Sequence, residues 1–385
     1  MTRFWLGGYG PDMTGDATGI GLLEGDEGRE PVSLAYHGAV ASAVSPSWLA
    51  QHPSLDVIYA ALESSGTVQA FRRSGERALA PLGEPVEAGE FVCHVAVAPN
   101  GPYLIASCYG DGRVVRIGLD TDGGLRAPTV ADAAVDPYAS AEPARLPSPE
   151  PALFPSSEPA LFPSSEPALF PSSEPVDGAG AAASVDRASH AHAAAFLPDG
   201  RLATTDLGFD LVRIWRPGAS GLVADHTVVL PFGVGPRHMV VHPSGHLHVV
   251  TEYSCEVFTL APRPDGQWAI VGATPVSPAV QLGVDNPAEL SRSRDGETLY
   301  AGIRGSNTIA ALRVRGGGET IEPLALADSG VNWPRHHLVH DGALLVAGQL
   351  SNEISVIDLD QRTGVPRSIR HRASAPAPTC ILLAH

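Results

Sequence analysis

Residues 235–253 read GPRHMVVHPSGHLHVVTEY. An apolar run from Met239 meets a Pro/Ser/Gly turn and leaves as a second apolar run, the pattern of an antiparallel hairpin. Moving outward, the same figure recurs as LAQHPSLDVIYAALE from Leu49, VAVAPNGPYLIASCY from Val95, AAFLPDGRLATTD from Ala194, LSRSRDGETLYAGIR from Leu290 and HLVHDGALLVAGQ from His337. Asn100-Gly101, Asp199-Gly200, Ser244-Gly245, Asp295-Gly296 and Asp341-Gly342 supply turn dipeptides that tolerate positive φ. Steps of 45, 51 and 46 residues separate Gly200, Gly245, Gly296 and Gly342.

A third run follows most hairpins: GTVQAFRR from Gly66, GRVVRIGLD from Gly112, DLVRIWRP from Asp210, CEVFTLAP from Cys255, NTIAALRV from Asn307 and NEISVIDLD from Asn352. Three strands and a weaker outer fourth make a propeller blade. Six units leave strand-like pieces at the N-terminus (FWLGGYG, GIGLLEG) and one at the C-terminus (PTCILLAH), which together complete a seventh. The expectation is an all-β, seven-bladed β-propeller, closed by pairing N- and C-terminal strands in one blade so that no sheet edge is left open. Residues 1–385 then form a single domain with an insertion. The step from Gly101 to Gly200 is about twice the others, and from Glu142 EPARLPSP and three copies of EPALFPSS follow with a period of eight. Eight residues fit neither a blade nor a heptad. A Pro/Ser-rich low-complexity insertion, disordered or polyproline-like, is expected at about 126–189.

Composition narrows the chemistry. The chain carries 42 acidic and 25 basic residues for a net charge of -17, which opposes nucleic acid and anionic membranes as partners. Every one of the 25 is arginine, which removes lysine Schiff-base and lysine general-base mechanisms and leaves any substrate anion to Arg, His or backbone N–H. Cys93, Cys108, Cys255 and Cys380 show no C-x-x-C pairing, as reduced thiols would. The start, MTRFWLGGYGPD, has no apolar signal region, and a cytoplasmic protein is expected.

Nearly every unusual polar residue keeps a fixed distance from a hairpin turn. Five or six residues upstream lie Trp48, His94, His192, Arg237 with His238, Glu289, and Arg335 with His336. Eight to ten downstream lie Glu63, Cys108 with Tyr109, Asp206, Glu252, Arg304 and Gln349. The start of a hairpin's first strand and the end of its second lie at one end, so both sets converge on one mouth of the channel. Burying such charge carries a desolvation cost that a fold alone has no reason to bear. His190-Ala191-His192 places two imidazoles on one face, but no third ligand is fixed by spacing, and no metal and no cofactor are expected. Serine-triad, zincin and nucleotide-loop motifs are missing from the sequence.

At these residues the chain resembles the seven-bladed propeller lactonase family, which contains the bacterial propeller-type 6-phosphogluconolactonases and the fungal carboxy-cis,cis-muconate cyclase. PSWLAQHPS, CHVAVAPNGPYLIASCYGDG, HAHAAAFLPDGRLATTDLGFD, GPRHMVVHPSGHLHVVTEY, the hairpin from Glu289 to Arg304 and WPRHHLVHDGALLVAGQ carry the resemblance. It implies a hydrolase that opens a sugar-acid lactone, 6-phosphoglucono-1,5-lactone being the best-known substrate of the family. It also implies catalytic roles for His192, Arg237, Glu252 and Arg304. His192 or Glu252 would activate water, with Arg237 on the oxyanion or a carboxylate. His94, His190, His238, Glu289, Arg335 and His336 are the expected substrate-binding residues, and a monomer acting on a small molecule is the expected form. Two alternatives stay open: a lactone-forming, muconate-type cycloisomerase using the same site, and a non-enzymatic propeller that binds proteins through the Pro-rich tract.

Overall fold

The computed structural model describes residues 2–25, 34–139 and 187–384. They fall almost wholly in one compact unit, Met1–Asp136 with Arg187–His385; Pro137–Asp186 forms the second unit and is described only through residue 139. Among the described residues there are seven sheets. Blade 1 runs Pro46–Gln51, Val57–Leu62, Thr67–Gly75 and Ala78–Pro81, with Val86–Glu87 as an extra pairing on its third strand. Blade 2 is Val92–Val97, Tyr103–Cys108, Val114–Leu119 and Leu125–Val130, and blade 3 is Ala191–Phe196, Leu202–Asp206, Leu211–Pro217 and Leu222–Val229. Blade 4 is Pro236–Val241, Leu247–Thr251, Glu256–Pro262 and Trp268–Pro275, and blade 5 is Asn286–Arg292, Thr298–Arg304, Thr308–Arg315 and Thr320–Asp328. Blade 6 is Pro334–His340, Ala343–Gly348, Glu353–Leu359 and Pro366–Ser374. Blade 7 takes its inner strand, Pro378–Ala384, from the C-terminus and Thr2–Gly8, Gly19–Gly25 and Leu34–Ser42 from the N-terminus. The chain ends thus meet in one sheet, with Trp5 opposite Leu382 and Leu6 opposite Ile381.

The second strands of blades 1–6 are buried throughout and largely apolar because both of their faces are covered. Alternate side chains point to opposite seams. In VIYAAL of blade 1, Tyr59 packs with Leu104 and Ile117 of blade 2, while Ile58 packs with Trp5 and Leu22 of blade 7. Each of the seven seams has its own apolar cluster of this kind. The inner strands contact one another in ring order, blade 7 meeting blades 1 and 6. In six of the seven blades a left-handed residue comes just before the third strand: Gly66, Asp210, Cys255, Asn307 and Asn352 directly and Gly112 two positions ahead, with φ of 67, 58, 54, 56, 54 and 69°. Gly, Asn and Asp dominate because they bear that conformation at least cost.

Leu125–Val130 corrects the expected start of the insertion. It pairs with the third strand of blade 2, Val115 opposite Val130, and as an outer strand it accommodates Pro128 on its free edge. At the other end, Ser189 and His190 already belong to the entry of blade 3. The octapeptide tract itself lies outside the described residues.

Candidate active site

Every inner strand carries one residue more than its partner at the point of entry. Pro236 is opposite Thr251 and His238 opposite Val250; the same slip occurs at Pro46/Trp48, Val92/His94, Ala191/Ala194, Pro287/Leu290, Pro334/His336 and Pro378/Cys380. Such a bulge re-aims the strand locally. Here it turns two successive residues of a blade toward the axis, and a third comes from the residue just past the partner strand's paired position. Blade 4 contributes Arg237, His238 and Glu252 in these three places.

The first place holds Cys93, His192, Arg237 and Arg335 in blades 2, 3, 4 and 6. The second holds Trp48, His94, His238, Glu289 and His336, and the third Glu63, Tyr109, Glu252, Arg304, Gln349 and, from blade 7, Tyr9. The structure therefore brings together all four expected catalytic residues and nearly all of the expected binding residues, in two layers.

The upper layer is charged. Glu252 is shared by two guanidiniums, Arg237 Nε at 2.9 Å and Arg304 Nη2 at 2.8 Å. Both N–H groups point off the line to the shared oxygen, so these are charge pairs rather than aligned hydrogen bonds. Burial raises the Glu252 pKa, but Arg304 and Arg237 outweigh it and hold the carboxyl below its usual range. Arg237 donates from Nη1 to Ala288 O at 2.6 Å, and burial together with Arg304 brings its pKa down to about 10. Arg304 donates to Asn286 O at 3.0 Å and lies over the Trp333 ring at 5.3 Å. His192 is buried with no hydrogen bond at Nδ1, and burial followed by Arg237 holds it well below its normal pKa, hence neutral at pH 7.

The lower layer is uncharged. Trp48 lies 4.5 Å from His94, 5.4 Å from His238 and 5.2 Å from His336, ring to ring. Burial lowers His94 and His336 to about 3 and His238 well below its normal value. Burial also raises Glu289 well above the carboxylate range, so that a protonated carboxyl faces His238 Nδ1 at 3.3 Å. A neutral acid among neutral imidazoles is the cheap way to keep these groups out of water.

Two positions differ from the sequence reading. His190 stands outside the strand, stacked on Tyr109 at 4.4 Å with Nδ1 2.6 Å from Tyr109 O, and it walls the site rather than opening on the axis beside His192. Asp206 aligns with Thr251 instead of Glu252, and its carboxylate is taken by the N–H of His190 at 2.9 Å and of Phe209 at 3.1 Å. Among the described residues no His, Cys, Asp and Glu side chains are grouped to hold a metal ion. Tyr9 escaped the sequence reading, because blade 7 has its hairpin split between the two termini and no turn to count from. Its signal was FWLGGYG, where Tyr9 follows Gly8 as Glu252 follows Thr251.

Residues 3–145 and 162–383 match the family model described as Lactonase, 7-bladed beta-propeller. A 6-phosphogluconolactonase of Bacillus subtilis is 22% identical over 395 residues, which covers 100% of this chain and 99% of that relative. Among solved structures, a periplasmic gluconolactonase of Pseudomonas aeruginosa superposes with a TM-score of 0.79 at 19% identity, covering 100% and 99% of the two chains. A protein from Lactobacillus plantarum does so with 0.78 at 21%, over all of both chains. With the family model spanning most of its length and seven blades closed in its own sheets, the chain belongs to the seven-bladed β-propeller lactonase family.

Proposed function

We propose that this protein hydrolyses the ester of a sugar-acid lactone at the charged mouth. The observation that carries the reading is the pairing of a buried neutral imidazole, His192, with the Arg237–Glu252–Arg304 cluster on the next two blades. The names of the Bacillus and Pseudomonas relatives support the same chemistry. Glu252, neutralised twice over, is a poor base and serves to fix the two guanidiniums. His192 takes a proton from water as the water oxygen bonds to the lactone carbonyl carbon. Arg237 and Arg304 face the negative charge that develops on the carbonyl oxygen. The tetrahedral intermediate then collapses, the ring C–O bond breaks, and the departing alkoxide takes the proton from His192 to leave a hydroxy acid. Lactones open unaided in water, so positioning and charge stabilisation are sufficient help.

The test is acid release from glucono-1,5-lactone and from its 6-phosphate, followed at constant pH with the purified protein. Turnover well above the spontaneous rate on at least one is expected. Opening of neither, combined with cyclisation of a carboxymuconate, would overturn the hydrolytic direction.

A further inference from the structure

Across the axis from the Arg237–Glu252–Arg304 cluster, blades 7, 1 and 6 bring Tyr9, Glu63 and Arg335 together in a different way. Glu63 is only 4% exposed. Its Oε1 accepts a hydrogen bond from Tyr9 Oη at 3.0 Å, whereas Oε2 accepts none from any protein group and lies 4.0 Å from Arg335 Nη2. Arg335 is itself loosely held: Nη1 reaches Gln349 Oε1 at 3.4 Å, and the guanidinium rests over the Tyr9 ring at 4.9 Å. A buried carboxylate oxygen without a donor is costly. Glu252 meets its arginines at 2.8 and 2.9 Å, so the wider spacing at Glu63 is a property of this half of the site.

We propose that Glu63 and Arg335 together bind a hydroxyl group of the substrate, with Tyr9 holding both in place. A hydroxyl oxygen about 2.8 Å from each partner spans a separation of 4.0 Å when its two hydrogen bonds meet near a right angle. It donates to the carboxylate and accepts from the guanidinium, which neither an anion nor a cation can do. A phosphate or carboxylate would meet Glu63, and an ammonium would meet Arg335. Tyr9 touches both members, through its hydroxyl at Glu63 and its ring at Arg335, so the geometry is set before the ligand arrives. The unit therefore selects a ligand that carries a hydroxyl at this place, and any phosphate on the substrate is placed elsewhere. The reading rests on the lactone function only for the choice of probe.

The probes are two lactams that do not open, glucono-1,5-lactam with its hydroxyls and δ-valerolactam without them, titrated calorimetrically into the wild-type protein, Glu63→Gln and Tyr9→Phe. The wild type is expected to prefer the hydroxylated lactam, and Glu63→Gln to lose about 10- to 100-fold in affinity for it, the range for one hydrogen bond to a charged group. Tyr9→Phe, which leaves the carboxylate in place, is expected to lose severalfold and decides the matter if Glu63→Gln does not fold. Affinity for δ-valerolactam should be the same in all three. No preference in the wild type, no measurable binding of either lactam, or a preference kept in both variants would overturn the proposal. Loss of the preference in a protein that opens no lactone would instead leave this site standing and remove the hydrolase reading.

Discussion

Arginine does the work of two residue types in this chain, which has no lysine. Its planar fork lets Arg237 and Arg304 share one carboxylate while each keeps a backbone carbonyl as a second partner. Glu252→Gln would leave two buried guanidiniums facing each other without a counter-charge. The expected cost is about 3 kcal/mol or more of unfolding free energy, measured by urea denaturation. A change under about 0.5 kcal/mol would show that the pair is not what holds these side chains. Most of the residues at the mouth were legible in the sequence because they are polar or charged side chains at a fixed distance from a turn: Arg237 and Glu252 flank the hairpin of blade 4 as Glu289 and Arg304 flank that of blade 5. Pairing was not legible. Nothing in the spacing distinguishes Glu252, clamped by two arginines, from Glu63, left with one oxygen open.

At the scale of the strand, the bulge is the device that turns a structural repeat into a site. Hairpins, turns and third strands could be read from apolar runs and Asn-Gly or Asp-Gly dipeptides. The extra residue at each strand entry could not, since a one-residue slip leaves the hydrophobic pattern of the rest of the strand intact. Its only trace was the adjacent pairs Arg237-His238 and Arg335-His336, both of which face the axis. The left-handed corner before the third strand, present in six of the seven blades, is the second recurring device. At Gly66, with φ of 67°, an added Cβ would lie 2.5 Å from Gly89 O. Gly66→Ala is expected to lower stability by about 2 kcal/mol, seen as a lower melting temperature in calorimetry; an unchanged melting temperature would mean that the corner relaxes freely.

Closure and acidity belong to the whole molecule. The seventh blade was foreseeable because the leftover pieces at the two termini were of complementary kind, although the third N-terminal strand, Leu34–Ser42, was not. Burial keeps six histidines neutral: His94, His248, His336 and His337 fall to about 3, and His192 and His238 lie well below normal. Their folded-state pKa values are depressed, so below about 6.5 the unfolded chain binds protons that the folded one does not. The stability these imidazoles contribute is thus fully present above pH 6.5 and is lost as pH falls toward 3. The urea midpoint should begin to drop near pH 6, the six imidazoles outweighing the one raised carboxyl of Glu289, whose effect has the opposite sign. A midpoint flat down to pH 5 would show that these imidazoles are solvated.

If bulge-directed residues at one mouth open a lactone, Arg237, buried and aimed at the axis, is the residue on which that depends most. Steady-state opening of the best accepted lactone by wild type and by Arg237→Ala, with circular dichroism to establish that the variant is folded, tests it directly. The predicted result is a loss of about 10²- to 10³-fold in kcat, as for removal of a group that stabilises an oxyanion. A folded Arg237→Ala protein with wild-type turnover would contradict it.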